Sequence, residues 1–153
     1  MIKITVLKKK WYKILNKPKT YIKKIINISL NNLDILKYNP FISIVLADDN
    51  LLHNLNYKYR KKNKPTNVLS FTYEKLSYNC CLGEIFISLE TIIKESAELD
   101  IYITDYVSHM LIHGLLHILE YDHKTPEETH KMQSLEIALL DKLGIKNPYI
   151  PHN

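Results

Sequence analysis

Residues 104–123 read TDYVSHMLIHGLLHILEYDH. Thr104 is placed to cap a helix that runs to about Leu119. Within it His113 and His117 lie four residues apart. At about 100° per residue their side chains stand only about 40° apart on the helix surface, so both imidazoles can reach one ion. His123 follows six residues later, beyond the expected helix end, where a turn through Glu120, Tyr121 and Asp122 can fold it back over the same face. Two ligands on a rigid helix and a third from a turn leave one coordination position open, the mark of a catalytic rather than a structural zinc site.

An isolated histidine on a helix is ordinarily a core or surface residue. Here four of the seven histidines fall between His109 and His123, which turns a composition into a constellation. His109 sits one turn before His113 and is the rival third ligand. A straight helix advances by about 5.4–6 Å per turn, so three histidines spanning two turns do not close easily on one ion with bonds of about 2.1 Å. His109 is therefore expected behind the ligands or on the substrate side, and Asp122 as a carboxylate that orients an imidazole or accepts a proton. Imidazole donors also accept Ni²⁺, Co²⁺ and Cu²⁺. One Zn²⁺ is the expectation for hydrolysis without redox chemistry.

Outward from this stretch, the chain alternates early strands with later helices. Ile2, Ile4 and Val6 alternate with polar residues, the period of a strand. Residues Thr20 to Leu33 fit a helix, and Asn39-Pro40 precedes a β-branched strand from Phe41 to Ala47. Asp48 or Asp49 can cap a helix to about Tyr57. The basic segment Lys58-Tyr-Arg-Lys-Lys-Asn-Lys-Pro65 leads into a strand over Val68–Phe71, and Leu82–Ser88 reads as a fourth, with Gly83 permitting a bulge or a close backbone approach. Leu89 to Leu99 reads as a helix. Thr125-Pro126-Glu127-Glu128 starts a last one that stops at Leu143-Gly144. The expected fold is a single α+β domain over residues 1–153, a small mixed sheet of about four strands packed with about five helices, carrying a zincin-like metal site.

The 153 residues carry 46% hydrophobic and 24% charged residues and a net charge of +5, values of an ordinary globular chain with room for a polyanionic partner. No apolar run approaches the roughly 18 residues of a membrane span, and the N-terminus lacks the pattern of a secretory signal. A cytoplasmic location and no membrane partner are expected. The adjacent Cys80 and Cys81 do not have a metal-binding spacing and are expected to be reduced thiols.

Metzincin proteases space three histidines in the same way, but place beside the first a glutamate that acts as general base. This chain has Gly114 there, which argues against peptide hydrolysis. The stretch His113-Gly-Leu-Leu-His117-Ile-Leu-Glu-Tyr-Asp-His123 instead resembles the signature of the YbeY family of bacterial metal-dependent endoribonucleases. Tyr59-Arg60 with Lys64-Pro65-Thr66-Asn67-Val68-Leu69-Ser70-Phe71 is similar to that family's second signature, and Leu82-Gly83-Glu84-Ile85 to its third. Leu143-Gly144-Ile145 and Pro148-Tyr149 also match. Two residues depart from the pattern: Glu120 stands where the family usually has Gly, and Glu84 where it usually has Asp. Glycine at 120 would take the left-handed conformation that ends the helix, whereas a glutamate there costs about 1 kcal/mol or approaches the metal as an extra carboxylate.

The resemblance implies a single-strand-specific endoribonuclease acting in 16S rRNA 3′-end maturation and in late 70S ribosome quality control, with ribosomal RNA and the small subunit as partners and no nucleotide cofactor. It implies catalytic roles for Arg60 and His113, the arginine binding phosphate oxygens as charge develops. Lys58, Lys61, Lys62 and Lys64 are expected to form, with Arg60, an electrostatic track for the RNA backbone. Attack by water and internal attack by the 2′-hydroxyl both remain open, as does the identity of a general base. The competing reading from another class is a ribosome-associated RNA-binding assembly factor whose metal is structural.

Overall fold

A computed structural model describes residues 1–150. Four strands, β1 (Ile2–Val6), β2 (Phe41–Ala47), β3 (Val68–Thr72) and β4 (Cys81–Ser88), form one sheet in the order β1-β2-β4-β3. The first three in that order run parallel, and β3 pairs antiparallel with β4 as an edge. Parallel neighbours need crossovers. Helices α1 (Trp11–Ile14) and α2 (Pro18–Asn32) supply the first, and α3 (Asp49–Arg60) lies in the second. Helices α4 (Leu89–Glu98), α5 (Ile103–Ile118) and α6 (Pro126–Lys142) complete the fold.

The α+β class and the mixed four-stranded sheet are as expected. The described residues hold six helices rather than about five. The extra one, α1, has four residues, too few for an apolar period to appear. It is nevertheless anchored: Trp11 is fully buried and its indole Nε1 donates to the Ala47 carbonyl at 2.9 Å.

The period of two along the strands decides which face is core. Ile42, Ile44 and Leu46 of β2, with Ile85 and Ile87 of β4, are wholly buried under the layer formed by α2 and α5. The other face is covered by α3, whose Leu52 joins Val45, Ala47 and Leu69 in a smaller cluster. In α5, Val107, Leu111, Ile112, Leu115 and Leu116 are all wholly buried. Each contributes roughly 1.5–3 kcal/mol, so the helix cannot rotate without losing several times the stability of any one contact. Its rotational setting therefore brings His109, His113 and His117, an i, i+4, i+8 strip, to the one margin that is not fully covered.

Two hydroxyls clamp α5 to the edge strand. Ser70 Oγ donates to the Gly114 carbonyl at 3.0 Å and Thr72 Oγ1 to the Ile118 carbonyl at 3.2 Å. Gly114 permits this closeness, because a Cβ there would sit 2.8 Å from Ser70 Oγ and 3.0 Å from Ile85 Cγ2. The absence of a glutamate at this position thus has a packing reason besides its chemical consequence. Gly83 is similarly constrained, since a Cβ would collide with the Phe71 carbonyl. It follows Leu82 at the irregularity where the β2–β4 register shifts.

Helix α2 starts at Pro18, two residues before the expected Thr20, and the boundaries of α5 and α3 also differ from the expected ones. Helix α5 starts at Ile103 with Tyr102 as its N-cap and without a side-chain cap. Thr104 is already helical, and its carbonyl accepts from Ser108 Oγ at 2.8 Å. Asp105 takes over the polar role at this end, lying in the first turn where the dipole favours an acid. Helix α3 is capped by Asp48, which accepts from Leu51 N at 3.0 Å, but it continues past Tyr57 to Arg60. Buried Asn56 explains the extension: its Nδ2 donates to the Lys64 carbonyl at 2.8 Å and ties the last turn to the loop that follows. Lys58 and Arg60 are therefore mounted on a helix. The final helix begins as expected, with Thr125 accepting from Glu128 N at 3.1 Å.

Candidate metal centre

His113 and His117 project from the last two turns of α5, and His123 returns from the segment between α5 and α6. One donor nitrogen from each lies within 4.8 Å of the others. The Nε2 atoms of His113 and His117 are 3.1 Å apart, close to the edge of about 3.4 Å for a tetrahedron built on bonds of about 2.1 Å. Burial first, and then the neighbouring His113 and His123, hold the His117 imidazole below its ordinary pKa, which keeps it neutral with a lone pair to offer. The donor set and its spacing fit one divalent ion.

The turn that delivers His123 is a left-handed helix stop. Glu120 has φ 72°. Its N–H donates to the His117 carbonyl at 2.9 Å, and the Tyr121 N–H to the Leu116 carbonyl at 3.0 Å, the Schellman pattern that glycine usually serves. Glu120 adopts that conformation as glutamate and does not belong to the histidine cluster. Relief of the left-handed strain should outweigh the extra freedom that glycine brings to the unfolded chain. Glu120→Gly is therefore expected to raise stability by about 0.5–1 kcal/mol with metal affinity unchanged, which thermal melts beside a metal titration check.

Beyond the stop, Asp122 Oδ1 accepts from the His123 backbone N–H at 2.8 Å, and that bond holds the Asp122 carboxyl below its usual range. Asp122 thus fixes the backbone that carries the ligand and does not hydrogen-bond an imidazole ring. Thr129 Oγ1 donates to the His123 carbonyl at 3.2 Å, tying the turn to α6.

Behind the ligands stands a residue that the sequence reading did not single out. Glu136 of α6 is 1% exposed. Its Oε2 faces His113 Nδ1 at 3.3 Å, while its Oε1 meets His109 Nε2 at 2.7 Å and accepts from the Tyr149 hydroxyl at 2.6 Å. Burial alone would push this carboxyl up. Hydrogen bonds from His109, His113 and Tyr149 outweigh it and bring the pKa to about 2. A charged carboxylate on Nδ1 sets the His113 tautomer and leaves Nε2 free to bind a metal ion. His109 accordingly sits behind the cluster and does not belong to it. Signs of Glu136 were present in the sequence, where it falls one turn after Met132 and one turn before Leu140, both buried; a carboxylate on an apolar stripe calls for a partner. Glu136→Gln is expected to weaken metal binding by about 10–100-fold, measured by competition against a chelator. Affinity equal to wild type would remove Glu136 from this role.

The three histidines line an open cleft of about 890 Å³, whose wall also includes Arg60, Lys62, Lys64, Asn67, Asp122 and Lys124. Arg60 is held in place. Its Nη2 donates to the Ser70 carbonyl at 3.1 Å and its guanidinium lies over the Phe71 ring at 5.3 Å. Lys58 and Lys61 are not part of this lining. Lys58 Nζ lies over the Tyr59 ring at 5.1 Å, and Lys61 is the left-handed C-cap of α3. Of the anticipated basic track, Arg60, Lys62 and Lys64 share the cleft with the histidines. Cys80 and Cys81 are both free thiols, and no helix among the described residues is long and apolar enough to cross a membrane.

A mixed sheet covered by a histidine-bearing helix, with a third imidazole returned by a turn, defines an α+β protein of zincin-like build whose three histidines could hold a metal ion. A family model described as endoribonuclease YbeY matches residues 4–144, and the chain belongs to that family. It is 64% identical over 151 residues to the endoribonuclease YbeY of Ehrlichia chaffeensis, covering 99% of this chain and 98% of the relative. With the protein of the same name from Anaplasma marginale it shares 55% over 151 residues, at 99% and 98% coverage. The fold is also that of a solution structure from Thermotoga maritima, with a TM-score of 0.56 and 21% identity over 94% of this chain and 92% of that one.

Proposed function

We propose that the protein is a zinc-dependent endoribonuclease specific for single strands, acting in the cytoplasm on ribosomal RNA of the small subunit, in 16S 3′-end maturation and in quality control of 70S ribosomes. The observation that carries the chemistry is the placement of His113, His117 and His123 in the same cleft as a fixed arginine. Membership of an endoribonuclease family supports the substrate class.

His113, His117 and His123 would hold the ion, which when bound supplies a Lewis acid and a water acidic enough to give hydroxide near neutral pH. Glu136 keeps His113 oriented through Nδ1. Arg60 offers a planar fork to two oxygens of the scissile phosphate and meets the negative charge that builds on them in the transition state. Lys62, Lys64 and Lys124 supply positive potential along the remaining wall, which draws in a phosphate backbone.

The test uses purified protein stripped of metal, then restored with Zn²⁺, on single-stranded and duplex RNA of one sequence. Cleavage of the single strand should disappear on stripping and return with zinc. Equal cleavage by all forms would mean a contaminating nuclease and end the proposal. Tight binding by the restored protein with no cutting would replace it with an assembly factor that holds RNA on a structural metal.

A further inference from the structure

The cleft does not end at Arg60. Phe71, which lines it, stands edge-on to Tyr59 with ring centroids 5.3 Å apart and to Phe86 at 5.8 Å. Tyr59 lies outside the cleft lining and is 53% exposed. Two residues beyond Phe71 on the same side of the strand is Tyr73, whose N–H still pairs with the Leu82 carbonyl at 3.0 Å and whose side chain is 56% exposed. The Tyr73 ring is pinned, because its hydroxyl donates to Glu84 Oε1 at 2.7 Å while Ser43 Oγ donates to Glu84 Oε2 at 2.9 Å. Both oxygens of the one acid beneath these rings are thus occupied.

An aromatic row that starts at the cleft wall, runs onto the sheet face and is flanked by cations has the makings of a single-strand track, in which bases stack on rings and phosphates meet positive charge. Here Lys58 Nζ rests over Tyr59 at 5.1 Å and Arg60 over Phe71 at 5.3 Å. A base arriving on Tyr59 would displace the flexible lysine outward, toward the phosphates on either side of it. We propose that Tyr59 and Tyr73, reached from the cleft past Phe71, are a base-stacking subsite for the part of an RNA strand that extends beyond the cleavage point. This rests on the ribonuclease reading and deepens it: the shelf adds affinity that is sequence-tolerant and depends on strand length.

The experiment is steady-state cleavage by zinc-loaded protein of a short single strand of about four nucleotides and a long one of about twelve, comparing wild type with Tyr59→Ala and Tyr73→Ala. On the long strand each variant should raise KM about tenfold with kcat held, and on the short strand neither should change KM. Tyr59→Phe keeps the ring and should behave as wild type, and Tyr73→Phe, which keeps the ring but loses the bond to Glu84, should raise KM on the long strand less than Tyr73→Ala does, which separates stacking from any effect of the hydroxyls on folding. Unchanged KM on the long strand in both alanine variants overturns the subsite, including the case in which this face serves a protein instead. If wild type cuts neither strand, the nuclease reading fails by itself, and fluorescence anisotropy of the long labelled strand decides the shelf: a loss of about tenfold in the alanine variants supports it and equal affinity overturns it.

Discussion

Replacing His123 by alanine is expected to strip the protein of metal and to lower single-strand cleavage on the order of 10³-fold, the several kcal/mol that a metal-bound nucleophile and Lewis acid are worth. This ligand separates the alternatives most sharply. It is the exposed member of the cluster and comes from a turn, so its loss leaves α5 and its buried apolar residues untouched. The fold should therefore melt as the metal-free wild type does. His109→Ala is the counterpart. His109 contacts Glu136 and Tyr149 rather than the ligand nitrogens, so that variant should keep its ion while losing some stability. Metal analysis of the two variants is enough. Retention in His123→Ala together with loss in His109→Ala would mean that the site uses three histidines of one helix, against the distances described above.

Arg60→Ala should lower kcat/KM by about 10²–10³-fold, the usual cost of removing one preorganised donor from a developing oxyanion, and should leave metal content unchanged. The side chain is anchored by one hydrogen bond to the Ser70 carbonyl, so stability should fall by no more than about 1 kcal/mol. Arg60→Lys keeps the charge but not the planar two-point fork or the broad contact with Phe71, and should recover only a small part of the rate. Full activity in Arg60→Lys would reduce the residue to a general positive charge. Full activity in Arg60→Ala would remove it from the reaction.

What could be read ahead of the structure was local. The strands Ile2–Val6 and Phe41–Ala47 and the cap at Thr125 follow from patterns a few residues long, and the histidine spacing on α5 is itself a local pattern. What escaped the reading depends on contacts between distant segments. Helix α1 has a single turn, stabilised by one buried tryptophan bonded to a strand 36 residues away. The prolongation of α3 to Arg60 rests on Asn56 reaching Lys64. Glu136 gains its meaning only when α6 packs on α5 and brings it to residues 23 and 27 positions earlier. Gly114 was informative in both ways, as a missing carboxylate in the sequence and as a close approach of helix and strand in the fold.

Strand β3 is the sheet's outer strand beside the cleft, and its pairing has a consequence for how copies of the protein meet. Because the N–H of Tyr73 pairs with Leu82 and the carbonyl of Asn67 with Ser88, the alternation of an antiparallel ladder turns the backbone groups of Val68, Ser70 and Thr72 outward, into the cleft. The Val68 N–H is met by Asn67 Oδ1 at 2.7 Å; the groups left open along such a row are a template on which a strand from another molecule can form, and proteins commonly guard them with charge. Arg60 already occupies the Ser70 carbonyl, and Lys62, Lys64 and Lys124 stand along the same wall. The positive charge that would attract a polyanion would also repel an identical edge, so one set of side chains would serve both to draw in a strand of RNA and to disfavour edge-to-edge pairing of two copies.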